Sequence, residues 1–368
     1  MLSVLFYLTV FALIFVIQLF AMKQKNKVLK RILIALSFLI LLLLMGLRYR
    51  VGTDYVGYEG IYKGYSNSSL NEIWQGKGDV GKKLIIGSIA INHIDIKVIF
   101  WIYGLLTLYP LFKINKNHKY KYLAYFTLVF NLAILPVCLN IMRQGAAMAF
   151  LLLAFDYFRI GSKKMRAIFC IVIAVLLHTS ALFVAPYLLC YYLSKKHGRS
   201  FKLLSSILTI IASISFATFL KGLLADFGFS DYDYQLVIMN SVSFSLNIVV
   251  CDVIFYLMLI LLFFMNTNHK ANNDLDKKDA ADMTCLLVDG SVYNIVGTMT
   301  HYLSRISYYF SMFQIILIPE LLQNIPNKNT RIIAKMLCVS VLVVLFIFRC
   351  YILGYYGIMP YQSWITLG

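Results

Sequence analysis

Long blocks of apolar residues recur along this chain, and they restrict its fold more than any other feature. Clear examples are residues 2–22, 122–138, 203–220 and 332–348, which hold almost no charged side chains. A helix needs about 20 mostly apolar residues to cross about 30 Å of hydrocarbon. The chain is 61% hydrophobic and only 14% charged, whereas soluble domains are about 45–50% apolar and about 25% charged. The sequence therefore predicts an all-α, polytopic integral membrane protein.

About twelve transmembrane helices account for these blocks, within a single transmembrane domain that covers residues 1–368. The predicted spans are 2–22, 32–47, 97–112, 122–138, 144–160, 167–177, 181–193, 203–220, 247–265, 283–299, 306–322 and 332–348. A further apolar segment near residues 84–93 is too short to cross the membrane. We expect it to form a re-entrant or interfacial helix, which requires packing against protein so that its backbone groups are satisfied.

The basic residues predict how the helices are oriented. Of the 34 Lys and Arg residues, 23 lie in one set of alternate, mostly short loops, which includes residues 266–282. Short loops rich in Lys and Arg stay on the cytoplasmic side of a membrane. Residues 48–83 and 221–246 are then extracytoplasmic loops, and both chain termini are extracytoplasmic. The polar composition of residues 266–282 is typical of a cytoplasmic loop without fixed structure.

Composition and motifs exclude several classes of function. The net charge of +18 is explained by the orienting loops, so we do not expect nucleic acid as a partner. The seven cysteines form no CxxC pair and lie mostly in apolar runs, which predicts neither a disulfide framework nor a metal site. The sequence has no GxxxxGK[ST], HExxH or GxSxG motif. We therefore expect no nucleotide, metal or other cofactor.

Polar residues at the predicted outer ends of the spans are the informative ones, and the first group follows the second span. The segment RYRVGTDYVGY, residues 48–58, contains Arg48, Arg50, Asp54, Tyr55 and Tyr58. Two interpretations remain open. These residues either anchor the chain at the membrane interface, or they form part of a binding site, since interface anchoring does not require the Gly-Thr-Asp-Tyr sequence.

Three further groups lie at the same predicted face. Arg143 and Gln144 begin the fifth span, His178 separates the sixth from the seventh, and His301 and Arg305 precede the eleventh. Each group alone is explained by interface anchoring, or in the case of His178 by a structural histidine. Together they bring several arginines to one side of the membrane, where planar guanidinium groups match phosphate oxygens. This favours binding of an anionic headgroup, most naturally a diphosphate.

The chain resembles the EpsG-like family of bacterial exopolysaccharide and capsule polymerases, which are functional relatives of Wzy. The resemblance rests on Arg48, Gly52, Thr53, Asp54, Tyr55, Tyr58, Arg143, Gln144, His178, Ser180, Arg305, Tyr309 and Pro319, and it covers nearly the whole chain. The family often shows an acidic-Pro-Gly-aromatic stretch after its first loop. Here the nearest match is residues 79–82, Asp-Val-Gly-Lys, which lacks the proline and the aromatic residue.

The resemblance implies a membrane glycosyltransferase of the GT-C kind. It would polymerise polyprenyl-diphosphate-linked oligosaccharide repeat units at the outer face of the cell membrane, in contact with membrane lipid. A flippase and a chain-length regulator of the same pathway are the protein partners that the resemblance allows. The expected diphosphate ligands are Arg48, Arg50, Arg143 and Arg305, and the residues expected to contact or support the sugar are Tyr55, Tyr58, Gln144, His301 and Tyr309.

A general base would take a proton from the acceptor hydroxyl, and Asp54 and His178 are the two candidates. The ordinary histidine pKa of about 6.5 gives a mild preference for His178, and Asp54 would then orient an arginine. A flippase for the same lipid-linked sugar, a membrane O-acyltransferase and a structural assembly subunit are the alternatives. Transporters place their polar binding groups near mid-membrane on broken helices, whereas most intramembrane acids here lie near predicted span ends.

Overall fold

The structure is a computed structural model, and it describes residues 2–76, 78–160, 163–184, 188, 246–267, 274–297 and 301–367. Within these residues the regular structure is helical, with no strand. One isolated antiparallel β-bridge joins Arg48 to Ser363. The predicted all-α class is confirmed for this part of the chain.

The helices are numbered here in chain order. Those before residue 184 are α1 Leu2–Lys23, α2 Lys27–Gly46, α3 Tyr55–Ser66, α4 Leu70–Gln75, α5 Val80–Lys82, α6 Ser88–Ile91, α7 Lys97–Asn117, α8 Leu123–Val129, α9 Leu135–Asn140, α10 Met142–Ile160 and α11 Lys164–Leu177. Those after residue 245 are α12 Leu246–Thr267, α13 Asp274–Gly297, α14 His301–Ser311, α15 Gln314–Asn324 and α16 Lys328–Ile347. Three π-helical segments, Lys83–Gly87, Phe130–Ile134 and Phe348–Ile352, and a 3-10 helix, Thr179–Phe183, continue these elements.

Six helical stretches among the described residues are long and apolar enough to cross a membrane. They are Leu2–Lys23, Lys27–Gly46, Lys97–Asn117, Leu123–Asn140, Leu246–Asn266 and Lys328–Ile352. They coincide with the first four, the ninth and the twelfth predicted spans, so the chain is a multi-pass membrane protein. The predicted total of about twelve is not confirmed. Most of the seventh predicted span and all of the eighth lie outside the described residues.

The other predicted spans differ in detail from the helices. α10 and α11 contain the fifth and sixth spans, but the eleventh is divided into α14 and α15. α13 contains residues 283–297 of the tenth, whose last two residues lie outside the described part of the chain, and it already begins at Asp274. Residues 274–282, which lie in the predicted cytoplasmic loop 266–282, are therefore helical. Alanine and lysine in this segment favour a helix despite its polarity.

The predicted outer loop 48–83 also contains helices. α3 and α4 lie within it, and α4 begins with a capping box in which Ser69 and Glu72 bond each other's backbone N–H groups. The predicted short helix near residues 84–93 is present as part of a continuous helical run over residues 80–91. The predicted outer loop 221–246 lies outside the described residues except for Leu246.

α10 is the central helix, because sixteen of its nineteen residues are buried. It packs between α7 and α11. Gly145 lies where α10 turns back against α9, and a Cβ added there would be 2.9 Å from Cys138 Sγ. Helices within a membrane associate through such close packing of small residues. The first turn of α10 is thereby fixed, and this turn carries Arg143.

Ion pairs join the opposite end of α10 to its neighbours. Asp156 bonds His118 Nε2 at 2.6 Å and accepts from Asn117 Nδ2 at 2.8 Å. Arg159 makes a bidentate contact with Glu320, at 2.5 and 2.8 Å. Both acids therefore have structural partners, which is the arrangement that charges need within a membrane protein.

The C-terminal segment, residues 355–364, lies across the start of α1 and the end of α2, next to residues 48–54. The Tyr7 hydroxyl donates to Ile358 O at 3.0 Å, and the Tyr361 hydroxyl donates to Leu44 O at 3.0 Å. The Trp364 backbone N–H donates to Leu47 O at 3.0 Å. This segment is therefore part of the wall that holds residues 48–54 in place.

Candidate active site

The Gly-Thr-Asp turn, residues 52–54, is fixed against the end of α9. The Thr53 hydroxyl and the Asp54 backbone N–H both donate to Asn140 Oδ1, each at 2.9 Å. Gly52 has a φ of +102°, and a Cβ at this position would lie 2.8 Å from Leu139 O. Only glycine combines this backbone conformation with such a close approach. The motif therefore serves to place Asp54.

Asp54 faces Arg305. It precedes α3 as its N-cap residue, but its carboxylate makes no capping hydrogen bond. Asp54 Oδ1 lies 3.8 Å from Arg305 Nη2, and the two side chains are 31% and 25% exposed. An ion pair this long and this exposed contributes little to stability. The carboxylate is therefore positioned and accessible, which are the two requirements for a group that accepts a proton from a substrate.

Arg143 is held by Asp79, which the sequence analysis did not assign to the site. Arg143 Nη1 donates to Asp79 Oδ2 at 2.6 Å. Asp79 Oδ1 accepts from the Thr179 N–H at 3.1 Å and from the Thr179 hydroxyl at 2.7 Å. Burial acts to raise the pKa of Asp79, but the charge interactions with His178 and Arg143 and the Thr179 hydrogen bonds hold this pKa below its ordinary value. Asp79 thus joins the outer loop, α10 and the end of α11 as a carboxylate.

Gly81 explains how Asp79 reaches this position. A Cβ at residue 81 would lie 2.7 Å from Leu176 O and 2.8 Å from the Leu177 Cα. The loop can approach the end of α11 only because glycine occupies this position. The acid-x-Gly spacing of residues 79–81 is therefore the sequence signal that identifies Asp79, and the neighbouring proline and aromatic residue are dispensable for it.

His178 lies at the end of α11 and is 7% exposed. Its Nδ1 accepts from the Ser180 N–H at 3.3 Å and lies 3.0 Å from Ser180 Oγ. A backbone N–H can only donate, so the neutral ring carries its proton on Nε2. Burial lowers the pKa of His178 to about 4, and although Asp79 opposes this shift, Arg143 and Arg305 add to it. At neutral pH His178 is thus an uncharged hydrogen-bond donor through Nε2.

Arg305 and Tyr309 occupy one face of α14, four residues apart. Gln144 Nε2 donates to the Arg305 carbonyl oxygen at 2.5 Å and so joins α10 to α14. The Tyr309 hydroxyl lies 2.8 Å from Ser180 Oγ, next to His178. Gln144 is 1% exposed and Tyr309 is 3% exposed. Both therefore support the charged groups of the site and are too buried to contact a sugar.

Two other residues that were expected to contact the substrate are buried in this structure. Arg48, expected to bind diphosphate, is 2% exposed. Its guanidinium lies 4.9 Å from the centre of the Phe100 ring, and Nη2 is 3.3 Å from Met142 Sδ. Tyr55 is also 2% exposed and stacks on Phe100 at 4.7 Å. These residues pack the base of the site, because the chain turns inward directly after α2.

The remaining expected residues have different positions. Tyr58 is 5% exposed and its hydroxyl bonds the Arg143 backbone, so it also supports the site. Arg50 is exposed, and its guanidinium lies 5.4 Å from the centre of the Tyr49 ring. His301 begins α14, but its side chain lies outside the described part of the chain. Within the described residues, no three His, Cys, Asp or Glu side chains converge in a way that could hold a metal ion.

The structure thus places Arg143, His178, Arg305 and Asp54 in one region, through the contacts of Asp79, Thr179 and Tyr309 and the pair between Asp54 and Arg305. The two guanidiniums are 19% and 25% exposed and flank the buried His178. Such an arrangement offers fixed donors for an anionic oxygen and one accessible carboxylate as an acceptor. This is the set of groups that a transfer reaction with an anionic leaving group requires.

Comparison with known protein families gives a match over most of the chain. The model of a family described as the EpsG family matches residues 31–363, which is nearly the whole chain. No curated protein matches the chain. No solved structure matches it either.

Proposed function

The chain belongs to the EpsG family, whose members are Wzy-type polymerases, and from this premise we propose that it polymerises lipid-linked oligosaccharide repeat units. Membership itself supports a polysaccharide repeat-unit polymerase. The finer proposal is a glycosyltransferase that acts at the outer face of the cell membrane on polyprenyl-diphosphate-linked substrates. The observation that carries it is the convergence of Arg143, His178 and Arg305 beside Asp54.

The donor lipid diphosphate is proposed to bind between Arg143 and Arg305. Each arginine presents five N–H donors in a planar fork whose geometry matches phosphate oxygens. The Nε2–H of His178 would donate to a further phosphate oxygen. As the glycosidic carbon–oxygen bond breaks, its electron pair passes to the diphosphate, and fixed donors stabilise the charge that develops there.

Asp54 is proposed as the general base, in place of the mild preference for His178. The acceptor hydroxyl oxygen forms the new bond to the anomeric carbon, and its proton passes to the Asp54 carboxylate. The lone pair of His178 on Nδ1 already accepts the Ser180 N–H, and Nε2 carries the proton, so the neutral ring has no free acceptor for a substrate hydroxyl. The Asp54 carboxylate is accessible, and its ion pair with Arg305 is long, at 3.8 Å, so it can accept a proton from a substrate.

Polymer formation by purified protein tests this function. Lipid-linked repeat units, extracted from cells that lack the polymerase, would be incubated with the protein in detergent micelles. A ladder of longer glycans is expected from the wild type, and no ladder is expected from Asp54→Asn. A wild-type protein that moves the lipid across vesicle membranes without lengthening its glycan would show a transporter, and transfer of acyl groups without lengthening would show an acyltransferase.

A further inference from the structure

A polar cavity of about 100 Å³ lies between α12, α13, α14 and the π-helical segment Phe348–Ile352. Its polar lining includes Asp252, Tyr256, Ser291, Asn294 and Arg349. The reaction derived above uses none of these residues. Charged side chains are costly within membrane-spanning helices, and where they occur they generally mark a functional site.

The charged groups of this cavity neutralise each other. Arg349 Nη2 lies 3.3 Å from Asp252 Oδ1, and Asn294 Nδ2 donates to Asp252 Oδ2 at 3.3 Å. The Tyr256 hydroxyl lies 2.8 Å from Ser291 Oγ. The cavity therefore offers donors and acceptors without a net charge. An anionic headgroup would meet the Asp252 carboxylate, and a lipid chain would leave these polar groups unsatisfied.

The cavity shares a wall with the candidate active site. Arg305 and Tyr309 point to the active site from α14, whereas Ser307 and Ser311 line the cavity. Each serine is two residues from its counterpart, which is a rotation of about 200° around an α-helix. One short helix thus presents one face to each site.

Aromatic residues form a second connection between the two sites. The Tyr308 and Tyr356 rings meet edge to face at the cavity, with 6.0 Å between their centres. The Tyr356 carbonyl oxygen also accepts the Thr53 N–H at 3.1 Å, within the turn that carries Asp54. A ligand in the cavity would therefore lie next to the reacting groups.

We propose that this cavity is a subsite for one uncharged sugar residue of the lipid-linked repeat unit. One water molecule needs about 10–15 Å³ of cavity volume. A cavity of about 100 Å³ is therefore large enough for a group of the size of a sugar ring. Mixed donors and acceptors match sugar hydroxyls, and Tyr256, Tyr308 and Tyr356 supply aromatic surface for the ring. The inference rests on the proposed function, because it assigns part of the same substrate.

Binding of two lipids separates the subsite from the diphosphate site. The probes are polyprenyl diphosphate and the lipid-linked repeat unit, and the readout is the affinity of each for detergent-solubilised protein. We expect Asn294→Leu, which keeps the side-chain volume but removes its polar groups, to weaken binding of the sugar-bearing lipid about tenfold by the loss of polar contacts. Its affinity for the bare diphosphate should be unchanged. Asn329→Leu, at an exposed position of α16, is the matched control.

Tyr256→Phe provides a second variant that keeps the shape of the cavity and removes one hydroxyl. If both cavity variants bind the sugar-bearing lipid as tightly as the wild type does, the subsite assignment is overturned, and a normal polymer ladder then leaves the proposed function intact. If the wild type binds neither lipid and forms no polymer, the proposed function fails and the subsite fails with it. A selective loss of sugar-dependent affinity supports both.

Discussion

Asp79→Asn would separate the two contacts through which this carboxylate joins Arg143 to Thr179. One oxygen accepts both Thr179 bonds, and the other accepts the Arg143 guanidinium at 2.6 Å. An asparagine amide has one accepting oxygen and one donating nitrogen. Whichever way it is oriented, its NH₂ group faces a donor, so one of the two contacts is lost.

The expected loss follows from the burial of this pair. Hydrogen bonds to charged groups contribute about 1.5–3 kcal/mol, and removing one partner of a buried ion pair costs about 3–5 kcal/mol. The side chain of Asp79 is 7% exposed and that of Arg143 is 19% exposed. Because water reaches Arg143 and the amide keeps one contact, we expect the free energy of unfolding to fall by about 2–3 kcal/mol.

Unfolding in mixed micelles, titrated with a denaturing detergent, would measure this change. Asp95→Asn is the matched control, since Asp95 pairs with Lys97 3.2 Å away at a position where both side chains are about half exposed, and the asparagine oxygen can still accept the Lys97 backbone N–H. We expect the control to change stability by less than about 0.5 kcal/mol. Equal effects of the two variants would refute the assignment of Asp79 as a buried link of the site.

Other predictions address the reaction and the topology. Arg143→Lys should abolish polymer formation while the protein still inserts into the membrane, because lysine keeps the charge but loses the planar guanidinium group. Arg50→Lys, at an exposed position, is its control, and a normal ladder of glycans from Arg143→Lys would contradict the diphosphate-binding role. Asp54→Asn should lower the elongation rate about 10²–10⁴-fold without weakening binding of the lipid diphosphate, and an equal loss of binding would instead indicate a positioning role. The pKa of His178 in the folded protein, about 4, lies below the ordinary value of about 6.5, so the stability that depends on neutral His178 is complete above pH 6.5 and is lost as the pH falls towards 4. At pH 5 the free energy of unfolding should be lower by about 2 kcal/mol. His178→Gln should remove that dependence, and an unchanged pH profile would count against a buried neutral ring. Cysteines placed near residues 1 and 366 should react with an impermeant reagent from outside intact cells, and labelling only after permeabilisation would reverse the topology.

The sequence predicts the membrane class and part of the site because both depend on local composition. Apolar blocks must lie in hydrocarbon, whatever the tertiary structure is. Arg143, His178 and Arg305 stand at the ends of such blocks on one predicted side, so their meeting follows from topology and short connections. The Gly-Thr-Asp turn is also recognisable, since Gly52 requires a backbone conformation that other residues rarely adopt.

The direction of each side chain could not be predicted in the same way. Arg48 and Tyr55 are buried against Phe100, but an arginine and a tyrosine beyond a span have the same local pattern when they face solvent. The proton position on His178 depends on the Ser180 N–H, which is a local contact, whereas its pKa depends on burial among residues from three separate segments. Asp79 was missed because its role depends on contacts with Thr179, one hundred residues later in the chain.

The C-terminal segment has a consequence for the order in which this protein matures. The Gly52 N–H donates to Gly357 O and the Thr53 N–H donates to Tyr356 O, so the turn that holds Asp54 uses partners that the ribosome adds about 300 residues later. The membrane helices before them can already have inserted by then. A nascent chain therefore carries an incomplete Asp54 turn until residues 356 and 357 have been added, and the reaction proposed for this turn has to wait for them.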